Sequence, residues 1–250
     1  MVNALERFLA AVSSAGAAYG LELHWGKLQL LKVRCDTAVH RPDLSTIEPN
    51  STLLYLGSIV SDDGRISGEL ARRLGMAGGE FRKLSRLWGH SRLGRARKVE
   101  IFRSVVVSIL TYGLAAAWLN KADQRKLNGF QNRCLRSIWG IQPAYMSRVS
   151  NKRVLEITGQ RPLTALLQKQ QLLLYGRVAR QTDDNPMRAA TFGPGSLTPA
   201  VGIFVRKVGR PRMAWATEVG KLALQAAGGL RRLDETIANE VAWRGVVANH

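Results

Sequence analysis

Two pairs of adjacent carboxylates, Asp62-Asp63 and Asp183-Asp184, are the first residues to weigh for chemistry. Paired aspartates hold the magnesium ions of polymerases, but only when they are rigid, buried and close to a third carboxylate. Asp62-Asp63 instead stands between Ser61 and Gly64, and Asp183-Asp184 runs into Asn185-Pro186. Both are turn compositions, so neither pair is read as catalytic. The four histidines, at 24, 40, 90 and 250, are scattered without metal-ligand spacing. Cys35 and Cys134 make no disulfide framework and read as reduced thiols. The chain is expected to carry no catalytic residue, no metal site and no cofactor of its own.

The charge is informative where the carboxylates are not. Thirty-seven Lys and Arg oppose 18 Asp and Glu, a net +19, in a chain whose hydrophobic fraction of 46% is ordinary for a globular protein. Such an excess raises self-repulsion in the compact state, which points to a bound polyanion: nucleic acid first, an anionic membrane surface second. The longest apolar run, residues 105–119, is too short for the roughly 20 residues of a membrane span. The first sixteen residues, interrupted by Glu6-Arg7, do not read as a signal peptide. The expected location is therefore inside the cell, in cytoplasm, nucleus or both, without secretion or membrane insertion.

Residues 71–140 hold 15 Lys and Arg against 3 Asp and Glu, so +12 of the net charge is concentrated there. Over residues 70–88, Leu70, Leu74, Ala77, Phe81, Leu84 and Trp88 fall on one helical stripe, with Arg72, Arg82, Lys83 and Arg86 opposite. A link at 91–97 and the residue after it add Arg95, Arg97 and Lys98. A run of cations on a helix is often just a solvated face. Here acidic partners four residues away are scarce, and these seven cations are read as contacts to a phosphate backbone. Two further helices follow, one through Val99, Phe102, Val106, Ile109 and Leu110, the other through Leu127, Phe130, Cys134 and Ile138 with Arg125, Arg133 and Arg136 facing away. Gly209-Arg210-Pro211-Arg212 has two readings: a minor-groove peptide with Arg210 and Arg212 as its contacts, or the start of a helix with Pro211 at its first position. The six tryptophans mostly fall on apolar stripes and are assigned to core packing.

The elements that must position these residues are mainly helical. A helix is predicted over 2–19 with a stop at Gly20, a strand over 28–34, a loop containing Pro42 and Pro49, and a strand over 53–60 closed by the turn 61–64. Beyond the basic region come a short helix at 153–159, and a longer one at 163–180 with Leu163, Leu166, Leu167, Leu173, Leu174 and Val178 inward. A flexible linker at 191–211 and helices at 212–227 and 233–247 complete the reading. The fold class is mainly α with a small N-terminal β-hairpin.

The order of motifs resembles the reverse transcriptases of LINE-type (non-LTR) retrotransposons, over nearly the whole chain. In GLELHWGK (20–27), Gly20, Leu21 and Lys27 match the family's Gly-Leu-x-x-Asn-x-x-Lys-Thr pattern, while His24 replaces Asn and Leu28 replaces Thr. Tyr55-Leu56-Gly57 matches the next motif, whose hairpin grips the primer end. RRLGMAGGEFRKLSRLW, VVVSILTYGLAAAW and FQNRCLRSIWGI are similar to the family's thumb; NKRVLEITGQRPL, LLYGRVAR, GRPRMAW and VAWR resemble the stretch after it. The resemblance implies the end of a palm at 1–65, a basic helical thumb at 66–140, a helical extension at 141–190, the linker, and a C-terminal helical pair at 212–250. It further implies Lys27 near the incoming nucleotide and Tyr55, Leu56 and Gly57 near the primer terminus. The implied partners are an RNA–DNA hybrid or RNA, held without sequence preference, and the fingers and palm upstream in the same polyprotein. That palm would carry the Asp-Asp motif and its Mg2+, so the chain is expected to be inactive alone. The alternative is a stand-alone basic nucleic-acid-binding protein derived from such an element; a weaker one is an interaction protein that meets acidic lipids.

Overall fold

The computed structural model describes residues 2–33, 35–200 and 214–249. It is mainly helical, 63% helix and 7% strand, with its small sheets near the N-terminus. The chain divides into two compact units, 1–69 and 70–250.

The first unit opens with α1 (Val2–Ala17). Gly20, at φ +71°, ends it as predicted, letting the Leu21 N–H reach the Gly16 carbonyl at 2.9 Å. The Glu6 carboxylate accepts the backbone N–H of His40 at 2.9 Å, tying α1 to the Pro-containing stretch. That stretch carries the buried Val39 and Ile47, joined by an Ile47 N–H to Val39 carbonyl bond of 2.9 Å. Of the predicted strand at 28–34, whose last residue lies outside the described residues, Leu30–Leu31 forms β1, paired in parallel with β2 (Pro49–Asn50). The predicted single strand at 53–60 is instead a hairpin, β3 (Thr52–Tyr55) against β4 (Ser58–Ser61), in register Thr52↔Ser61 to Tyr55↔Ser58. Leu56 and Gly57 take φ of +46° and +77°, the two left-handed positions of a type I′ turn, and so fold the apolar run back on itself. After β4, the Asp63 carboxylate accepts the Ser61 hydroxyl at 2.8 Å and the Arg65 N–H at 2.9 Å, so Asp62-Asp63 stands in a turn.

The second unit contains most of α2 (Ser67–Gly89), where Leu70, Ala77 and Trp88 are buried. The expected link at 91–97 is only partly a link: α3 (Arg95–Ile101) begins at Arg95, because Gly94 is the sole punctuation in Gly94-Arg95-Ala96-Arg97. It continues through a π segment (Phe102–Val107) into α4 (Ser108–Thr111), and Gly113 at φ +76° follows. α5 (Lys121–Trp139) is capped by Asn120, whose side chain accepts the Asp123 N–H, and ends at Gly140, φ +72°. Leu127, Phe130, Cys134 and Ile138 are buried as their spacing predicts. Arg136, expected to face away, is buried too.

α6 (Ala144–Ser147) and α7 (Asn151–Thr158) lead to α8 (Leu163–Ala179), the central helix of the unit. It meets α5 on one side and, on the other, α10 (Trp215–Ala227) and α12 (Glu240–Asn249). Burial on two sides erases a single stripe: Leu166 and Leu173, read as inward, are exposed, while Gln171, Leu172, Tyr175 and Gly176 are buried. Asn185-Pro186 does not only break a helix but starts α9 (Pro186–Thr191), with the Asn185 side chain accepting the Met187 N–H. Within the predicted linker, Phe192 is buried and bridges to Pro199; residues 201–211 of that stretch lie outside the described residues. The C-terminal pair is in fact three helices. α11 (Leu230–Ala238) stops at Asn239, whose side chain accepts the N–H groups of Val241 and Ala242 and restarts the chain as α12. Among the described residues no helix is long and apolar enough to cross a membrane.

Candidate nucleic-acid interface

The cations of α2 stand on the face opposite its buried stripe because 3.6-residue periodicity separates the two sets. Arg82, Lys83 and Arg86 are exposed and Arg72 is half-buried. Gly75 and Gly79 share that face with Arg72, Arg82 and Arg86 by helical spacing. A Cβ at Gly75 would meet nothing within 4 Å, and one at Gly79 would meet only the end of the Arg82 side chain. Packing therefore does not demand either glycine, although each costs about 1 kcal/mol against alanine in a helix interior. Their effect is to lower the surface between the arginines, so that another chain's backbone can approach closely.

The state of each cation differs. Lys83 pairs with Glu80 at 3.1 Å, and Arg97 pairs with Glu100. Exposed pairs of this kind contribute about 0–1 kcal/mol and yield readily to a phosphate. Arg72 places Nη1 3.1 Å from the sulfur of Met76. Lys98 is half-buried and donates from Nζ to the Trp88 carbonyl at 3.3 Å, closing the C-terminal end of α2. Arg82, Arg86 and Arg95 are exposed and have no ion pair or side-chain hydrogen bond among the described residues. Arg95 also sits in the first turn of α3, where the helix dipole disfavours a cation. The same exposed, unpaired condition holds for Arg92, Arg103, Lys121, Arg125 and Arg133. These five are not among the seven cations that the sequence singles out, although acidic neighbours are equally scarce around them.

Two cations within the same segment are structural. Arg73 is buried, with its guanidinium 4.5 Å from the centre of the Tyr112 ring and 3.4 Å from the Ile109 carbonyl. Arg136 donates to the carbonyls of Gln142 at 2.9 Å and Val149 at 2.6 Å, and to the Asn151 side chain at 3.2 Å. Its position near the C-terminal end of α5, within reach of loop carbonyls, overrides the helical pattern that placed it outward.

No family model, no curated protein and no solved structure matches the chain.

The remaining predicted residues fall in the first unit or outside the described residues. Lys27 is exposed at the end of the 3-10 turn Trp25–Lys27. Tyr55, Leu56 and Gly57 form the hairpin tip, with Tyr55 63% and Leu56 75% exposed. Arg210 and Arg212 lie outside the described residues, so neither reading of that segment is tested. Trp88 and Trp243 are buried and the other four tryptophans half-buried, in keeping with core packing. Burial pushes the Cys134 thiol up to about 12, which leaves it protonated and inert. No group of three or more metal-ligating side chains exists among the described residues. Asp62-Asp63 does not fit a two-metal site, since the Asp63 carboxylate is engaged by Ser61 and Arg65.

Proposed function

We propose that this chain is the nucleic-acid-holding portion of a LINE-type reverse transcriptase: the last palm strands, a helical thumb and a helical extension. The observation that carries the proposal is the outer face of α2, where Arg82 and Arg86 project, unpaired among the described residues, beside two glycines that packing does not require. Together with Arg95 they supply charge and close access to a sugar-phosphate backbone, while the opposite face of α2 is fixed in the core. Contacts of this type track phosphates and shape, so they hold an A-form RNA–DNA hybrid without reading its sequence. Phosphoryl transfer would need a metal-binding carboxylate set from an upstream palm; the role of this chain is to bind and orient.

The exposed apolar residues of the first unit support this reading over a self-sufficient binding protein. On α1, Leu5, Phe8 and Val12 share one face and are exposed, as are Leu54, Tyr55 and Leu56 on the hairpin. An upstream palm would cover such surface.

The test is an equilibrium titration of two RNA–DNA hybrids of unrelated sequence with the full chain. Comparable affinities that fall steeply with added salt are expected. Failure to bind either hybrid at low salt would sink the proposal.

A further inference from the structure

We infer that the loop between α5 and α7 is a second contact surface, a stacking platform for an unpaired nucleobase centred on Tyr145. The inference rests on the nucleic-acid reading above and names a ligand form that the α2 face does not select. Tyr145 is 84% exposed and its neighbour Met146 62% exposed. Both sit on α6, a single turn held in place from beneath. The buried guanidinium of Arg136 binds the loop at three points, through the Gln142 and Val149 carbonyls and the Asn151 side chain. The Ser147 hydroxyl adds bonds to the carbonyls of Gln142 at 3.0 Å and Pro143 at 3.2 Å. An exposed aromatic on a loop fixed in this way loses little conformational freedom when a ligand lands on it.

The surroundings select the ligand. Residues 141–153 contain Arg148, Lys152 and Arg153 and no acidic residue. Arg153 pairs with Glu156 at 3.1 Å, whereas Arg148 and Lys152 are exposed and unpaired among the described residues. Arg148 holds φ +54° and closes α6 through its N–H to the Ala144 carbonyl at 2.9 Å. Glycine would take that conformation with less strain, and an arginine there places a cation one helical turn from Tyr145. An aromatic face beside unpaired cations fits a strand that presents phosphates and free base faces. Within a duplex those faces are already covered by neighbouring pairs, so the ligand is single-stranded RNA or DNA.

The experiment uses the full chain and three labelled ligands: a short oligothymidylate, an abasic strand of equal length, and a blunt RNA–DNA hybrid. Tyr145→Ala should weaken oligothymidylate binding by about 5- to 100-fold and leave the abasic strand and the hybrid unchanged. Tyr145→Phe should bind as the parent does, because stacking uses the ring and not the hydroxyl. Unchanged oligothymidylate binding by Tyr145→Ala, with hybrid binding intact, would overturn the inference alone and leave the Tyr145–Met146 surface to a protein partner. Loss of all binding in the parent chain would overturn the nucleic-acid reading and this inference with it.

Discussion

Trp243 lies directly against the backbone of Gly176. Its indole N–H donates to the Leu172 carbonyl at 2.8 Å, and a Cβ added at position 176 would overlap the ring. This contact joins α12 to the central helix α8, so residues near the end of the chain are part of the second unit's core. Gly176→Ala should therefore destabilise that unit by about 3 kcal/mol, as overpacking a rigid core does. Chemical denaturation measures it. Adding Trp243→Leu should recover part of the loss, since the two positions are in contact; a neutral Gly176→Ala would contradict the packing.

Arg136 carries a second stability prediction. Replacing it with Met removes the donors for two loop carbonyls and should cost about 3 kcal/mol. Proteolysis should then cut within 142–150 first, because that loop loses its anchor. Equal cleavage of parent and variant at that loop would show that the guanidinium does not hold it.

The Arg188 guanidinium donates to Asp183 at 2.7 Å, and the Gly195 N–H donates at 2.9 Å to its other oxygen. The side-chain bond from Arg188, then the Gly195 N–H, holds the Asp183 carboxyl below its ordinary value. A carboxylate depressed in the folded state contributes stability above its unfolded value, near 3.9, and that contribution is lost as pH falls through the lower folded value. The melting temperature of Asp183→Asn should lie below that of the parent at neutral pH, and the gap should close on acidification below pH ~3.9. A gap that persists unchanged into acid would rule out this linkage.

Much of the second unit was legible in the sequence, and the exceptions have physical causes. The stripe of α2 is readable because that helix buries one face; in α5 the apolar stripe is readable although Asn132 and Arg136 are buried outside it. At Leu166 and Leu173 of α8 the pattern misleads, because the helix is buried on two sides, which no single stripe describes. Arg136 departs from its helical pattern because that pattern cannot see a loop carbonyl thirteen residues downstream. The hairpin reads as one strand in the sequence because Leu56, in a left-handed turn position, looks like the middle of an apolar run. In the candidate site, the exposed arginines were legible as an excess of charge. Which of them stay unpaired was not, since Lys83 and Arg97 find glutamates three residues away.

Leu56 itself is strained. A leucine at φ +46° occupies a conformation that asparagine or glycine takes more readily. Leu56→Asn should stabilise the first unit by about 1 kcal/mol, read from denaturant unfolding. If the hairpin tip meets the primer end, as the resemblance implies, the same variant should weaken binding to a recessed primer–template. Greater stability with undiminished primer–template binding would separate the strained turn from any contact.

The outer face of α2 and the start of α3 are proposed to neutralise phosphates. The most direct test is the salt dependence of RNA–DNA hybrid binding for the parent and for a chain carrying Arg82→Ala, Arg86→Ala and Arg95→Ala together. Three lost phosphate contacts should reduce the steepness of log K against log salt by about 2 to 3, with unfolding unchanged because all three side chains are exposed. A slope equal to the parent's in a folded variant would show that these arginines do not contact phosphates.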